Sequence, residues 1–166
     1  MKHFAIALQT PDDVCKAMAN YAGIFESKGL ILRTGGAHGA DKAFASGVKS
    51  KKMIETYVPW RGFNSIDTLF DSPTEKALET AERYHKNWRN LKQGAKLLHG
   101  RNAHIILGEN CDDPVDFVVC WTKDGKDSGG TGLGMRIAKA KKIPVYNLYL
   151  QKDVDSLNML IVTLGD

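Results

Sequence analysis

Arg33-Thr34-Gly35-Gly36-Ala37-His38-Gly39-Ala40-Asp41 decides the fold, because it joins a short apolar run to an amphipathic segment through three glycines. Glycines at such a junction let the backbone take positive φ and pass close to a ligand. A helix opening there presents unpaired N–H groups and the positive end of its dipole, a natural seat for phosphate. Upstream, Leu30-Ile31-Leu32 reads as a strand running straight into Gly35-Gly36. Before it, Thr10-Pro11-Asp12-Asp13 reads as a helix start, with Thr10 as N-cap and Pro11 in the first helical position. Val14, Ala17, Met18, Tyr21 and Phe25 fall on one helical face, and Gly29 is placed to end that helix. Residues 4–8 are apolar and followed by a polar break, as a first buried strand would be. Strand, helix and strand at this spacing imply a right-handed crossover between parallel strands.

Working outward, a second helix opens near Ala40-Asp41 and fades by Ser50, and residues 54–59 supply a third strand. A loop over residues 60–72 leads to a capping box, Ser72-Pro73-Thr74-Glu75. Ala77, Leu78, Ala81, Tyr84, Trp88 and Leu91 then mark one face of a long helix. Residues 96–107 suggest a short helix followed by an irregular segment. Asp116-Phe117-Val118-Val119-Cys120-Trp121 is a continuous β-branched and aromatic run, the mark of a buried strand. A second glycine-rich loop, Gly129 to Gly134, precedes a helix to Lys142, a strand over residues 143–148 and a covering helix over residues 153–164. There is no internal repeat or linker, so residues 1–166 are expected to form a single domain. Alternating strands and helices predict a Rossmann-like, three-layer α/β/α fold with a mostly parallel sheet of about five strands.

Hydrophobic residues at 43% and charged residues at 25% are ordinary for a globular chain. No apolar run approaches the ~20 residues of a membrane span. The N-terminus is basic and then apolar, like a signal peptide, but its apolar part is too short and the polar Gln9-Thr10-Pro11 follows directly. Three cysteines (Cys15, Cys111, Cys120) without a CxxC pair imply reduced thiols and a cytoplasmic location. The net charge of +4 is mild, and its small knots at residues 49–52 and 139–142 fall where helices should end. A nucleic-acid binder would show a clustered basic stripe instead. The five histidines show no metal-ligand spacing, and nucleophile-elbow and Walker A patterns are missing. Neither a metal nor a resident cofactor is therefore expected.

In parallel sheets ligands bind beyond the carboxyl ends of the strands, where the strand order reverses. Both glycine segments follow strands and should reach that edge, as should Gln9 and Thr10 after the first strand. The first segment offers Arg33, Thr34, Gly35, Gly36, Ala37, His38, Gly39 and Asp41; the aspartate either complements the helix dipole or bonds a ribose hydroxyl. The second offers Ser128, Gly129, Gly130, Thr131 and Gly132, with two hydroxyls for phosphate oxygens. Trp60 and Asn64 lie after the third strand, and Trp121 and Thr122 end the central one. An aromatic ring there would stack on a base, although core packing explains Trp60 equally well.

Thr34-Gly35-Gly36-Ala37-His38-Gly39-Ala40-Asp41, followed by Tyr57-Val58-Pro59-Trp60 and Phe63-Asn64, resembles the SLOG superfamily of Rossmann-like proteins. That superfamily includes the LOG phosphoribohydrolases, the DprA DNA-processing proteins and ligand-sensing domains of anti-phage systems. Arg101-Asn102 through Leu107-Gly108, Phe117 to Thr122, Asp124-Gly125, Gly129 to Gly132 and Ile143 to Leu148 are similar to small DprA-like proteins of bacteriophages, and the likeness runs to about Leu148. LOG enzymes carry a Pro-Gly-Gly-x-Gly-Thr-x-x-Glu motif whose glutamate, with an upstream arginine, serves in cleaving an N-glycosidic bond. Aligned on Gly129-Gly130-Thr131-Gly132, Ser128 replaces the proline, Leu133 the threonine and Arg136 the glutamate. Loss of the carboxylate removes the group that would activate water, and an arginine favours holding phosphate.

The resemblance therefore implies non-catalytic binding of a nucleotide or cyclic nucleotide-like, phosphoribosyl-containing ligand. For a phage protein in the host cytoplasm, this becomes sequestration of an immune signal such as a cyclic ADP-ribose derivative or cyclic oligonucleotide. Two alternatives stand beside it. One is a DprA-like single-stranded DNA mediator, which needs a basic groove. The other is a LOG-like phosphoribohydrolase using Asp41 or another acid. Relatives commonly pair through helices beside the sheet, so a homo-oligomer is expected, with the helix over residues 73–91 as a candidate surface.

Overall fold

The computed structural model describes residues 3–5 and 11–165. Strands β1 (His3–Ala5), β2 (Ile31–Thr34), β3 (Ile54–Thr56), β4 (Phe117–Cys120) and β5 (Val145–Asn147) form one sheet in the order β3-β2-β1-β4-β5. Every pairing is parallel. Six α-helices flank it: α1 (Asp12–Ser27), α2 (Ala40–Gly47), α3 (Glu75–Tyr84), α4 (Gln93–Leu107), α5 (Gly129–Ala140) and α6 (Gln151–Thr163). Successive strand side chains point to opposite faces, and β4 shows it directly. Val118 and Cys120 join the core with α3, α4 and α5, whereas Phe117 and Val119 join the core with α1, α2 and α6. The result is the Rossmann-like, three-layer α/β/α fold predicted above, with an all-parallel sheet.

The chain winds outward from β1 to β3, crosses back through α3 and α4 to β4, and ends at β5. Strand order thus reverses between β1 and β4, which sets the ligand edge at the carboxyl ends of the central strands. Phe4 anchors one layer: its ring lies 4.9 Å from Phe25, 5.8 Å from Phe44 and 5.9 Å from Phe117, so β1 is held to α1, α2 and β4 at once.

Local signals explain most element ends. Gly29 ends α1 at φ +76°, with its N–H on Glu26 O and the Leu30 N–H on Phe25 O, the paired bonds of a Schellman motif. Helix α1 starts at Asp12 with Pro11 in the cap position, one residue later than expected. The expected N-cap Thr10 and residues 6–8 of the first strand lie outside the described residues. Thr74 caps α3 instead of Ser72, its Oγ1 accepting the Ala77 N–H at 3.3 Å.

Three expectations are corrected. The helix over residues 73–91 stops at Tyr84, where the Asn87 N–H turns to His85 Nδ1 (3.2 Å), and a 3-10 turn, Trp88–Asn90, follows. Residues 93–107 are one continuous helix, α4, through both Gly94 and Gly100. A Cβ on Gly100 would meet Leu78 Cδ2 at 2.7 Å and Pro73 Cβ at 2.9 Å, so this glycine admits close packing onto α3 and its neighbour. Packing overrides the low helix propensity. Residues 129–134 are not a loop but the opening turns of α5.

Helices α1 and α2 cross at backbone contact: a Cβ on Gly47 would fall 2.7 Å from the carbonyl carbon of Ala19 and 2.8 Å from its Cα. Gly47→Ala should therefore cost about 1–3 kcal/mol, as overpacking does, read as a lower urea midpoint at unchanged m-value.

Candidate functional site

The first glycine turn is built around a short set of hydrogen bonds. Gly36 and Gly39 hold φ of +66° and +87°, the left-handed region open to glycine. Asn64 Nδ2 donates to Gly36 O at 3.0 Å and pins the following loop across the turn. Asp41, in the first turn of α2, accepts the Ala37 N–H on Oδ2 at 2.9 Å. It is 3% exposed. Burial raises its pKa, opposed by the Arg101 charge, the Ala37 N–H, the Thr34 hydroxyl and the Gly35 N–H. The Thr34 hydroxyl, itself buried, thus belongs to the set of groups that meets this carboxylate.

Arg101 and Asn102 on α4 join this turn to the second. Arg101 Nη1 donates to Gly35 O, and a Cβ on Gly35 would collide with the guanidinium carbon at 2.7 Å. Its Nε donates to Asn102 Oδ1 at 3.0 Å, and Asn102 Nδ2 donates to Gly130 O at 3.1 Å. Arg101 is only 2% exposed, with the Phe63 ring 5.8 Å away. Among the described residues no carboxylate lies within the 4.0 Å of an ion pair. Burial lowers its pKa and the charge of Asp41 raises it. Sequence reasoning did not put Arg101 among the site residues. The available signal was a charge beside the apolar run Ala103 to Leu107, since a buried arginine needs a compensating partner.

The second glycine segment faces a cavity of about 540 Å³ lined by Trp121, Thr122, Lys123, Ser128, Gly129, Gly130 and Thr131. Ser128 precedes α5 but does not cap it: its Oγ donates to Asp124 Oδ1 at 2.9 Å, and among the described residues no side chain accepts from the opening N–H groups. The helix therefore keeps uncapped donors and its positive dipole end. Thr122 is fixed by Asn147, whose Nδ2 donates to Thr122 Oγ1 at 2.7 Å and whose Oδ1 accepts the Thr122 N–H at 3.2 Å. Gly132 is buried behind the rim, where a Cβ would meet the Asp127 carbonyl carbon at 2.8 Å.

A second cavity, of about 350 Å³, lies between α2, β3 and the loop after it. Thr34, Gly36, Ala37, His38, Asp41 and Asn64 from the first set of candidates line it, and the two cavities share no lining residue. Gln9 and Thr10 lie outside the described residues. Among the described candidates Gly35, Gly39, Gly132, Arg33, Trp60 and Arg136 line neither cavity. Arg33 projects to the α3/α4 side, where it holds Glu55 (2.7 Å) and Asp113 (2.5 Å), with His3 completing the cluster on Glu55 at 3.3 Å. Trp60 is exposed and packs edge-on against Phe63. Arg136 donates to Tyr84 O at 3.0 Å and Asp127 O at 3.4 Å, tying α5 to the end of α3. Among the described residues no group of three or more metal-ligating side chains occurs, and no helix is long and apolar enough to cross a membrane. Compared with known proteins, the chain matches no family model, no curated protein and no solved structure.

Two groups near these elements set the acid response. Burial, then the charges of His85, Arg136 and Arg101, depress His99 to about 4, and its Nδ1 has no partner among the described residues. A depressed histidine binds protons more readily unfolded, so it withdraws stability as pH falls from the ordinary histidine range toward 4. Glu55, held at about 2 by the His3 bond and then by Arg33, adds stability that is lost as pH falls below its ordinary range toward 2. The urea midpoint should therefore drop between pH 7 and pH 5, where His104, also lowered by burial, acts in the same sense, and His99→Asn should reduce that drop while leaving the steeper loss below about pH 4.5.

Proposed function

We propose that this chain binds an anionic, nucleotide-type ligand at the opening of α5, and keeps it rather than cleaving it. One observation carries the reading: the opening of α5, whose N-cap side chain makes no cap, lines a cavity of about 540 Å³ together with the cation Lys123. Arg101, which lines neither cavity, lies behind it with no carboxylate in ion-pair range among the described residues. A buried charge is costly until an opposite charge compensates it. The uncapped N–H groups of α5 next to Gly130, which Asn102 links to Arg101, favour the same sign of ligand. A volume of about 540 Å³ falls in the range of small-molecule pockets. Trp121 offers an aromatic face for a base, and Lys123 a further cation.

Binding without turnover is favoured because, among the described residues, no aspartate or glutamate lines this cavity. Water activation there would lack its general base. In this reading the protein is a SLOG-type ligand trap, and the likeness to phage proteins extends it to capture of a cyclic ADP-ribose-like or cyclic oligonucleotide signal.

The direct experiment is mass spectrometry of small molecules released on denaturing the purified protein, followed by calorimetric titration of nucleoside phosphates and cyclic nucleotides. Micromolar or tighter binding with chemically unchanged ligand is expected. Binding of none of these, or release of free base during incubation, would overturn the reading. Lys123→Met, which removes the cation lining this cavity, should weaken the phosphate-bearing ligand by about fivefold, the ~1 kcal/mol upper end for an exposed charge pair.

A further inference from the structure

The chain's positive charge is gathered in one place. Residues 83–96 hold five of the 23 Lys and Arg and none of the 19 Asp and Glu, so without them the net charge of +4 would become about −1. They form the tip of the packed pair α3 and α4: the last residues of α3, the 3-10 turn Trp88–Asn90 and the start of α4. Among the described residues none of these five cations enters an ion pair. Helix stability does not account for them either. Lys92 is the N-cap of α4, makes no side-chain cap, and has no acid after it in the first turn, whereas α1, α2, α3 and α6 all carry one there. A cation at that positive dipole end is unfavourable.

The sequence of the tip runs in triplets: His85-Lys86-Asn87, Trp88-Arg89-Asn90, Leu91-Lys92-Gln93. Burial keeps the same period, for the first member of each triplet is half-buried while the cation and the amide after it are exposed. The N–H groups of Trp88, Asn90 and Leu91 each bond the carbonyl three residues back, which brings residues three apart to one side of the chain. The inward row is anchored: Trp88 packs against the core of α3, α4 and α5, and the His85 ring lies 4.5 Å from that of His99. The outward side therefore carries a row of cations, Lys86, Arg89 and Lys92, beside a row of amides. Within the amide row Asn90 Nδ2 donates to Asn87 Oδ1 at 2.5 Å.

We propose that this tip docks on the phosphate backbone of a nucleic-acid duplex, with Lys86, Arg89 and Lys92 meeting phosphates and the amide row bonding the oxygens beside them. Exposed cations free of ion pairs release counterions from the backbone, the main source of sequence-independent affinity. Asparagine and glutamine amides serve with them as donors to phosphate and sugar. A single strand calls for a groove and an aromatic platform, but Trp88 is turned inward and Lys96 covers its ring at 5.7 Å. A lipid surface calls for apolar side chains to insert, and the exposed large hydrophobic residues all lie elsewhere among the described residues. Glu75, Glu79 and Glu82 share a small cavity with Lys96 and Trp88, so Lys96 serves that side rather than the phosphates. The surface is separate from the α5 cavity, whose lining includes none of residues 83–96.

The test titrates the full chain into a fluorescently labelled DNA duplex, its RNA counterpart, the single strand of the same length, and vesicles containing phosphatidylserine. The DNA duplex is expected to bind at 50 mM salt and to weaken by about 40-fold at 200 mM, the slope of about −2.7 that three phosphate contacts give. Arg89→Gln combined with Lys92→Gln should weaken the duplex by about tenfold or more and bring the slope to about −0.9. The urea midpoint of that variant should stay or rise, because Lys92 leaves the positive end of α4, so lost binding is not lost folding. Lys139→Gln combined with Lys141→Gln removes the same charge from the end of α5 and should change duplex affinity by less than about twofold. Equal losses from the two variants, tighter binding of the single strand or of vesicles than of either duplex, a salt slope near zero, or no duplex binding at 50 mM salt would overturn the proposal.

Discussion

The carboxyl edge of the sheet depends on one buried cation. Arg101 rises from α4 into the space beneath the first glycine turn, donates to Gly35 O and packs its guanidinium where any Cβ on that glycine would have to sit. Asn102 extends the contact to Gly130, so a single helix fixes the spacing between the turn before α2 and the start of α5. The arrangement requires Gly35 for reasons of space rather than of dihedral angle. It also explains why α4 continues unbroken through Gly94 and Gly100: a kink between α3 and Arg101 would carry the guanidinium away from both turns.

The layers were legible in the sequence because they follow from periodicity. Phe117-Val118-Val119-Cys120 announces a strand buried on both faces, and β4 divides its side chains between the two cores accordingly. Gly29 closes α1 as a Schellman glycine because its left-handed φ is a local property that the residue itself dictates. What the sequence hid was tertiary in origin. Thr74 and Ser72 are both capping residues, and which of them caps is decided by where Ala77 packs, a contact outside the motif. The continuity of α4 through Gly100 could not be read from the sequence, because Leu78 of α3 and Pro73 supply the packing there.

The candidate site was half legible for the same reason. Glycine spacing located both turns, and Thr34, Asp41, Asn64 and the Gly129 to Thr131 segment all line cavities. Charge was the misleading guide. Arg33 and Arg136 stood beside glycine motifs along the chain, yet strand alternation turns Arg33 to the opposite face toward Glu55 and Asp113, and Arg136 reaches the end of α3. Arg101, more than 60 residues from the first turn, is the cation that meets it. Proximity in sequence sorts backbone features well and long side chains poorly, because a guanidinium travels far from its own Cα.

The two buried charges of the first turn also explain each other. Asp41 lies where burial penalises its carboxylate, and Arg101 lies where burial penalises its guanidinium. They are too far apart for an ion pair, yet each lowers the cost of the other's charge through a medium that screens poorly. Neither is neutralised by an ion pair, so each draws on the turn itself: Asp41 on the Ala37 and Gly35 N–H groups and the Thr34 hydroxyl, Arg101 on the Gly35 carbonyl. A direct salt bridge would have left those turn groups to find other partners. The separation of the pair is what lets two buried charges hold the first glycine turn from both ends.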